Sequence, residues 1–267
     1  AYQRSSDANL GLPADIYHLY LMARQFVVTL VSISLVALMS MALKDKSQRG
    51  EFIQGAYRSS AAILGIAFIT NIYGNSGMAP LMIIGSVPLY NIMAVVVLSF
   101  TKPGQNGMSP ELIKKTLKGI ATNPIILGIL AGALWSVLRL PMPTILTKTV
   151  SSLGGLTTPL GLMAMGAAFN WSEAKSGMGP AFAASFMKLI GLCTLFLPVA
   201  VLLGFREAEL IAILVMLGSS TTVSSYVMAR NMGHSGVLSS SIVAITTLGS
   251  AFSLTFWLYV LKTLALI

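Results

Sequence analysis

Residues 55–74 read GAYRSSAAILGIAFITNIYG, and this stretch decides the fold. Its length and apolar content are those of a membrane span, yet small and polar residues interrupt it. The interrupting residues are Ser59, Ser60, Gly65, Thr70 and Asn71. Lipid offers backbone groups no hydrogen-bond partner, so non-helical backbone at this depth must be buried in protein or line a cavity. The stretch therefore predicts a broken helix.

A second stretch of the same kind follows far downstream, where residues 218–233 read GSSTTVSSYVMARNMG. Two such interruptions in two halves of a membrane chain are typical of transporters whose discontinuous helices meet at a central site. Each half-helix then directs unpaired N–H or C=O groups at the site. The alternative is that the hydroxyls bond their own helix and the glycines permit close packing. The pairing of the two stretches favours a transport site.

Composition places the chain among α-helical membrane proteins. Of its 267 residues, 55% are hydrophobic and 9% are charged, whereas about a quarter are charged in soluble domains. The long apolar runs predict spanning helices rather than the short alternating strands of a barrel. The net charge of +9 comes from Lys and Arg in short loops, which is the positive-inside pattern and implies no nucleic-acid partner. The single cysteine, Cys193, excludes a disulfide framework and a cysteine-based metal site.

The apolar runs predict eight spans and an orientation. The loops at 44–58, 101–118, 170–179 and 230–236 carry most of the Lys and Arg, so we expect them to be cytoplasmic and both chain ends to be external. Residues 154–159, GGLTTP, are a third candidate helix break. The predicted spans are 18–43, 55–74, 78–100, 123–138, 144–169, 180–203, 210–232 and 236–262.

Several motifs resemble one family of carriers. They are residues 55–74, VPLYN at 87–91, NPIILGILAGAL at 123–134, TPLGLMAMGAAF at 158–169, and SYVMARNMG at 225–233 leading to FWLYVL at 256–261. Their order and spacing resemble the auxin efflux carrier family, which includes plant PIN-type carriers and bacterial permeases for dicarboxylates such as malate and malonate. The resemblance covers nearly all of residues 18–264.

The resemblance implies a fold of ten spans in two inverted repeats of five, similar to bile-acid symporters and Na⁺/H⁺ antiporters. The fourth span of each repeat is a broken helix, and the two cross. On this basis residues 1–267 form a single transporter domain that lacks its first one or two spans. Residues 18–118 are the remainder of the first repeat, and residues 119–267 are the second.

The crossover sequences depart from the family pattern. Family members carry Asn or Pro-Asn in the first crossover and Pro in the second, where this chain has Ser59-Ser60 and Ser220-Thr221. Breaks without proline must depend on hydroxyl bonding and glycine flexibility. The resemblance therefore does not extend to a named substrate.

One charge lies clearly within a predicted span. At mid-depth Lys188 would cost about 2.5–3.5 kcal/mol facing lipid, so it either faces the interior or snorkels to the cytoplasmic interface. All eight acidic residues fall in loops or at span ends, which argues against an intramembrane carboxylate relay. Asn91, three residues after Pro88, either stabilises a proline kink or lines the site.

We therefore hypothesise a site that binds an organic anion through hydroxyls, Asn91 and helix N-termini, with Lys188 or Arg58 adding positive potential. The sequence predicts no catalytic residue, metal ligand or cofactor. The predicted substrate-binding residues are Ser59, Ser60, Gly65, Asn91, Lys188, Ser219, Ser220, Thr221 and Thr222.

The sequence thus predicts a secondary active permease or efflux carrier for a small mono- or dicarboxylate, working by alternating access at the crossover helices. H⁺ and Na⁺ are the candidate coupling ions, a bacterial inner membrane is the expected location, and a homodimer is left open. Two alternatives are a same-fold Na⁺/organic-anion symporter of the bile-acid type and a non-transporting membrane protein. A third, an intramembrane serine protease, rests on Gly233-His234-Ser235-Gly236, but a loop that caps a helix explains this motif better.

Overall fold

The computed structural model describes residues 14–60, 66–74, 79–102, 110–139, 141–167 and 177–267, with residues 172 and 175. These residues form helices and connecting turns, with no strand among them, so the prediction of an all-α membrane protein is confirmed. A 3₁₀ turn, Lys46–Gln48, precedes α2, and a π-helical turn, Met187–Gly191, joins α8 to α9. The α-helices are α1 Ala14–Ser40, α2 Arg49–Tyr57, α3 Ile66–Tyr73, α4 Ala79–Phe100, α5 Pro110–Ala121, α6 Pro124–Val137, α7 Thr144–Ala167, α8 Met178–Phe186, α9 Leu192–Leu202, α10 Glu207–Gly218, α11 Ser224–Asn231 and α12 Val237–Thr263.

Within the described ranges, four helical segments are long and apolar enough to cross a membrane. They are Met22–Ser40, Ile83–Phe100, Met178–Leu202 and Val237–Thr263. A fifth is the pair Ile113–Ala121 and Pro124–Val137, which is bent by 49°. The stretches 55–74 and 218–233 are absent from this set, because each is split into short helices. The total of eight spans stays a prediction.

The two predicted breaks of the crossover stretches are present, but the third is not. Helix α2 ends at Tyr57 and α10 ends at Gly218, and the chain is extended beyond both ends. Helix α7, by contrast, is continuous over 24 residues and contains Pro159. The prediction of a break at 154–159 was wrong, because a proline removes one helical hydrogen bond whereas unwinding in lipid would expose several backbone groups.

Helix α10 forms the centre of the core. Every residue from Leu210 to Gly218 is buried, on all faces of the helix. A helix that is apolar all round is surrounded by protein, and α10 packs against α9 and α12. The break that follows α10 is therefore held well inside the molecule.

The loops separate to two ends of the helix bundle. At one end, Arg49 Nη2 donates to the Met41 carbonyl (2.9 Å), and His234 Nε2 lies 2.9 Å from the Leu98 carbonyl oxygen. At the other end of α12, the Glu207 N–H donates to the Leu266 carbonyl (3.0 Å). These contacts involve only part of the loops that the charge bias assigned to two sides, and the rest of that grouping stays a prediction. Which end faces the cytoplasm stays a prediction.

Candidate functional site

The two helix breaks meet at one point. The Ser60 N–H donates a hydrogen bond to the Ser220 carbonyl (2.9 Å), although the two residues belong to different broken helices. Close by, the Thr221 hydroxyl donates to the Gly55 carbonyl (2.6 Å), and the Thr221 N–H donates to the Thr246 hydroxyl (3.0 Å). Unwinding leaves backbone N–H and C=O groups without helical partners. Residues of the opposite break and of α12 provide hydrogen bonds to some of these groups. The described parts of the two stretches therefore meet at one point, which we call the crossover after the arrangement that the resemblance implies.

Lys188 lies at this crossover with no solvent exposure. Its ammonium donates to the carbonyl oxygens of Tyr57 (3.2 Å) and Met216 (3.4 Å) and to the Ser59 hydroxyl. The Ser59 hydroxyl in turn bonds the Met216 carbonyl. Tyr57 ends α2 and Met216 lies in the last turn of α10, so the cation sits where two helix dipoles are negative. Lys188 faces the interior, and the interpretation that it snorkels to the interface was wrong, because these acceptors compensate its burial.

A π-helical turn presents Lys188 to the crossover. Met187–Gly191 interrupts the regular helix between α8 and α9, and such bulges occur frequently at functional sites. The carbonyl of Leu189, inside this turn, accepts a hydrogen bond from Trp257 Nε1 (3.1 Å). Helix α12 thereby fixes the turn that carries the lysine.

Arg58 is the second buried cation of the crossover and is 2% exposed. Its Nη2 donates to Asn91 Oδ1 (2.9 Å) and to the Ser224 hydroxyl (2.8 Å). Its Nη1 lies 2.9 Å from the thioether sulfur of Met228, a weak acceptor. Among the described residues, its buried Nε–H has no hydrogen-bond partner. Each group that Arg58 contacts in the described structure is neutral.

Two tyrosines form one wall beside these cations. Tyr57 and Tyr90 are both buried, with ring centroids 5.7 Å apart. The Tyr57 hydroxyl donates to the Tyr90 carbonyl (3.1 Å), which fixes the ring of α2 against α4. The Tyr90 hydroxyl lies 3.5 Å from the Met216 carbonyl oxygen, so this wall combines aromatic rings with a hydroxyl at the crossover.

Asn91 makes hydrogen bonds both within its own helix and to Arg58, and whether it lines a substrate site stays a prediction. Its Nδ2 donates to the Val87 carbonyl (2.8 Å), one turn back in a helix that contains Pro88. Its Oδ1 accepts from Arg58. The amide therefore bonds the helix near the proline and also orients the guanidinium.

The structure places the predicted site residues in different surroundings. Ser59, Lys188, Thr221 and the backbone of Ser60 and Ser220 meet at the crossover, as described above. Ser219 is fully buried, and its hydroxyl has no hydrogen-bond partner within the described ranges. Gly65 lies outside the described residues. Thr222 Oγ1 lies 3.2 Å from the Ser224 hydroxyl, which places it beside the Arg58 contact. Their part in substrate binding stays a prediction.

Several residues of this site were not among the predicted binding residues. The sequence predicted Arg58 only as a source of positive potential, on the signal of a charge directly before the Ser-Ser break. Gln54, one turn earlier, donates from Nε2 to the Ser225 carbonyl (2.9 Å), and its Oε1 is buried and unpaired. Nothing local in the sequence indicates the role of Ser224, because its partner is 166 residues away.

Glu51 lies at a helix end, as the sequence predicts for the acidic residues, and it is buried. It is in the first turn of α2 and is only 1% exposed. Its carboxylate accepts hydrogen bonds from the Ser235 hydroxyl (3.0 Å) and from the N–H groups of Gly236 (2.9 Å) and Ser239 (2.8 Å). A carboxylate at a helix N-terminus is favourable, and here it caps α12 from another helix. The Gly233–Gly236 motif is therefore a helix cap, with the Ser235 hydroxyl bonded to Glu51.

An apolar cavity of about 350 Å³ lies elsewhere, between α1, α9 and α10. Arg24 lines it and is placed over the rings of Tyr20 and Phe205, 4.5 Å from each centroid. The cavity contains none of the predicted site residues. We therefore place the candidate site at the crossover, where the buried cations are.

Two broken helices that meet at buried polar and charged residues define a membrane transporter of the discontinuous-helix class. A family model described as membrane transport protein matches residues 15–258. The chain belongs to this family, that of the auxin efflux carriers, and the resemblance seen in the motifs is confirmed. A comparison with curated proteins gave no match. The inverted-repeat arrangement of ten spans stays an expectation from the family.

Proposed function

We propose that the protein is a secondary active carrier of a small organic anion. The observation that carries this proposal is the pair of buried cations, Arg58 and Lys188, at the meeting point of the two helix breaks. In the described part of the chain, neither has a carboxylate partner, and every contact found for them is to a neutral group. A membrane protein that buries positive charge at a helix break provides a binding place for an anion.

Alternating access supplies the proposed mechanism. The crossover-bearing bundle would rock against the remaining helices, carrying the site from one side of the membrane to the other. The contacts between the two breaks are few and polar, and the backbone beyond Tyr57 and Gly218 is extended. Such segments can change conformation without unfolding the helices on either side.

The position of Lys188 bears on the coupling ion. In other carriers, the C-terminal carbonyls of half-helices coordinate Na⁺. Here the lysine ammonium takes that place, bonded to Tyr57 and Met216 carbonyls. This supports a carrier with a built-in cation at this point and makes H⁺ the preferred coupling ion. The alternative is Na⁺/organic-anion symport of the bile-acid type. Transport measured in Na⁺-free buffer distinguishes this alternative from H⁺ coupling.

The surface agrees with a bilayer environment. Ile145 and Met163 on α7 are 82% and 70% exposed, and apolar side chains cover much of the outward surface of the helices. We place the protein in a bacterial inner membrane as an integral protein. A homodimer that forms through this surface is a candidate assembly, and its presence is to be measured.

The test is uptake of labelled mono- and dicarboxylates by proteoliposomes, with and without a pH gradient, in Na⁺ and K⁺ buffers. We expect saturable uptake that responds to the pH gradient and not to Na⁺. Protein-free liposomes are the background control. Uptake that requires Na⁺ would replace H⁺ coupling with the symporter alternative, and the absence of uptake for every anion would favour the non-transporting alternative.

A variant locates the site in the same assay. A Ser60/Ser220/Thr221 triple alanine variant removes the Thr221 side-chain bond to Gly55, whereas Ser60 and Ser220 pair through backbone atoms that alanine keeps. We therefore expect the triple variant to lose uptake and a Ser60/Ser220 double alanine variant to retain more of it. Unchanged uptake in the triple variant would move the site away from the crossover.

A further inference from the structure

We infer that helix α5 binds the headgroups of anionic phospholipids at the membrane surface. The inference stands apart from the proposed carrier function, because no residue of α5 belongs to the crossover. The binding surface consists of two apolar and three basic side chains, Ile113, Lys114, Lys115, Leu117 and Lys118. We call it the α5 surface.

The sequence of α5 divides the helix into an apolar and a basic side. Residues 110–121 read PELIKKTLKGIA, and at about 100° per residue Ile113, Leu117 and Ile120 fall on one side. The lysines fall on the other side, where Glu111 joins them, so three positive charges and one negative charge leave the helix with a net charge of +2. A helix with this division is typical of those that lie in the interface of a bilayer.

The end of α5 is fixed to the protein, whereas its middle is not. Thr116 is only 4% exposed, and Ile120 packs against the buried cluster that includes Val95 of α4. Ile113 and Leu117, by contrast, are 45% and 61% exposed. The helix thus has a firm attachment through one edge and presents apolar side chains, next to lysines, to its surroundings.

The position of α5 in the chain places it at the membrane surface. The turn at residues 122–123 leads directly into α6, whose Leu130 and Leu134 are 60% and 61% exposed, as expected of side chains that face lipid. Helix α5 is bent by 49° from α6. Lysine is costly in hydrocarbon and favourable at the headgroups, so Lys118 marks the level at which the chain leaves the apolar layer. The bend then directs α5 across the surface.

The chemistry of the α5 surface fits an anionic headgroup. The three lysines are exposed, and their ammonium groups donate well to phosphate oxygens. Each lysine beside an anionic membrane surface favours binding by about fivefold at low salt. The exposed Ile113 and Leu117 can enter the boundary between headgroups and acyl chains. A zwitterionic surface would use only this apolar part, so the arrangement favours anionic lipid.

The experiment measures hydrogen–deuterium exchange of the full chain in two kinds of nanodisc, one of phosphatidylcholine alone and one of equal parts phosphatidylcholine and phosphatidylglycerol. We expect amides of α5 to exchange about fivefold more slowly or less in the anionic discs, because docking suppresses local opening of the helix. Amides of the buried α10 should exchange equally in both. About 1 M NaCl should abolish the difference, since it screens surface charge. Equal exchange of α5 in the two discs at low salt would overturn the inference.

A charge variant and a matched control test the α5 surface itself. Lys114/Lys115/Lys118→Gln should remove the difference between the two discs. The control, Lys44/Lys46/Lys102→Gln, removes the same charge from exposed positions outside α5 and should retain the difference. Equal loss of the difference in both variants would contradict the role of α5. Inorganic phosphate added to phosphatidylcholine discs should not slow exchange, and protection by phosphate would point to a free anion instead of lipid.

A second measurement uses the wild-type protein alone. Phosphatidylglycerol with a photoreactive diazirine in its headgroup is included in the discs, and peptide mass spectrometry locates the crosslinks. We expect residues 110–121 to be labelled more strongly than the exposed surface around Lys148 of α7. Equal labelling of the two regions would contradict a specific site. Because neither measurement requires transport, failure of the anion-uptake test leaves this inference standing.

Discussion

The N–H of Ser60 donates a hydrogen bond to the carbonyl of Ser220 over 2.9 Å, and this contact joins the breaks of two helices that are 160 residues apart in sequence. Because both partners are backbone atoms, the contact depends on chain path and not on the serine side chains. The two unwound segments therefore stabilise each other in an environment where lipid would offer them nothing. Side chains that carry charge, Arg58 and Lys188, are arranged around this contact.

Replacing Lys188 with methionine is expected to destabilise the protein. The change removes the donor that Tyr57 and Met216 share. The Met216 carbonyl keeps its bond from Ser59, and the unpaired Tyr57 carbonyl costs about 1–3 kcal/mol. Thermal unfolding in detergent, followed by intrinsic fluorescence, measures the effect. Lys148→Met, on the exposed surface of α7, is the matched control, and equal unfolding temperatures for the two variants would contradict the role of Lys188 as an internal counter-charge.

Replacing Thr221 with valine tests the side-chain link between the breaks. Valine keeps the shape of threonine and loses the hydroxyl that donates to the Gly55 carbonyl, so we expect a loss of about 1 kcal/mol in stability and reduced anion uptake. Thr149→Val is the control, because its exposed hydroxyl bonds only its own helix at Ile145. If the two variants take up anions equally well, the link between the breaks is not needed for transport.

Replacing Glu51 with glutamine should weaken the junction of α2 with α12. One carboxylate oxygen becomes an NH₂ group that cannot accept from Ser235, Gly236 or Ser239, and charge at the N-terminus of α12 is lost. We expect the free energy of unfolding to fall by about 1–2 kcal/mol. Urea unfolding of this variant beside Glu111→Gln, at an exposed position in the first turn of α5, gives the comparison. A larger loss in the α5 variant would argue against the cap.

Replacing Gly218 with alanine should disturb the end of α10. An added Cβ would lie 2.7 Å from the Cys193 sulfur, too close for a real contact in a fully packed region. Overpacking of this kind costs about 1–3 kcal/mol. Gly128→Ala on α6 meets nothing within 4 Å and should be neutral or slightly stabilising, since alanine favours helix over glycine. The difference in unfolding temperature between the two variants is the measurement, and no difference would mean that α10 has room to shift.

Much of the fold could be predicted because the deciding signals are local. Apolar runs of span length and the charge bias of the loops are properties of neighbouring residues, and they indicated an all-α membrane protein. The two polar interruptions likewise marked the breaks after Tyr57 and Gly218. The same local argument failed at residues 154–159, where α7 continues through Pro159 because the rest of the helix keeps its hydrogen bonds.

The candidate site could be predicted only in part. The hydroxyls near Ser59 and Thr221 stood out by their position inside apolar runs. Whether Lys188 faced the interior depended on acceptors at Tyr57 and Met216, far from it in the chain. The burial of Glu51 likewise depended on α12.

The sequence by itself determined the class of the protein, its family and the two helix breaks after Tyr57 and Gly218, because hydrophobicity, charge bias and motif order are carried by short stretches of chain. Only the tertiary structure decided that Lys188 neutralises two helix ends while the Nε–H of Arg58 stays unpaired among the described residues. The physical reason is that the energy of a buried charge depends on which acceptors and helix dipoles surround it, and folding brings those groups together from distant parts of the chain.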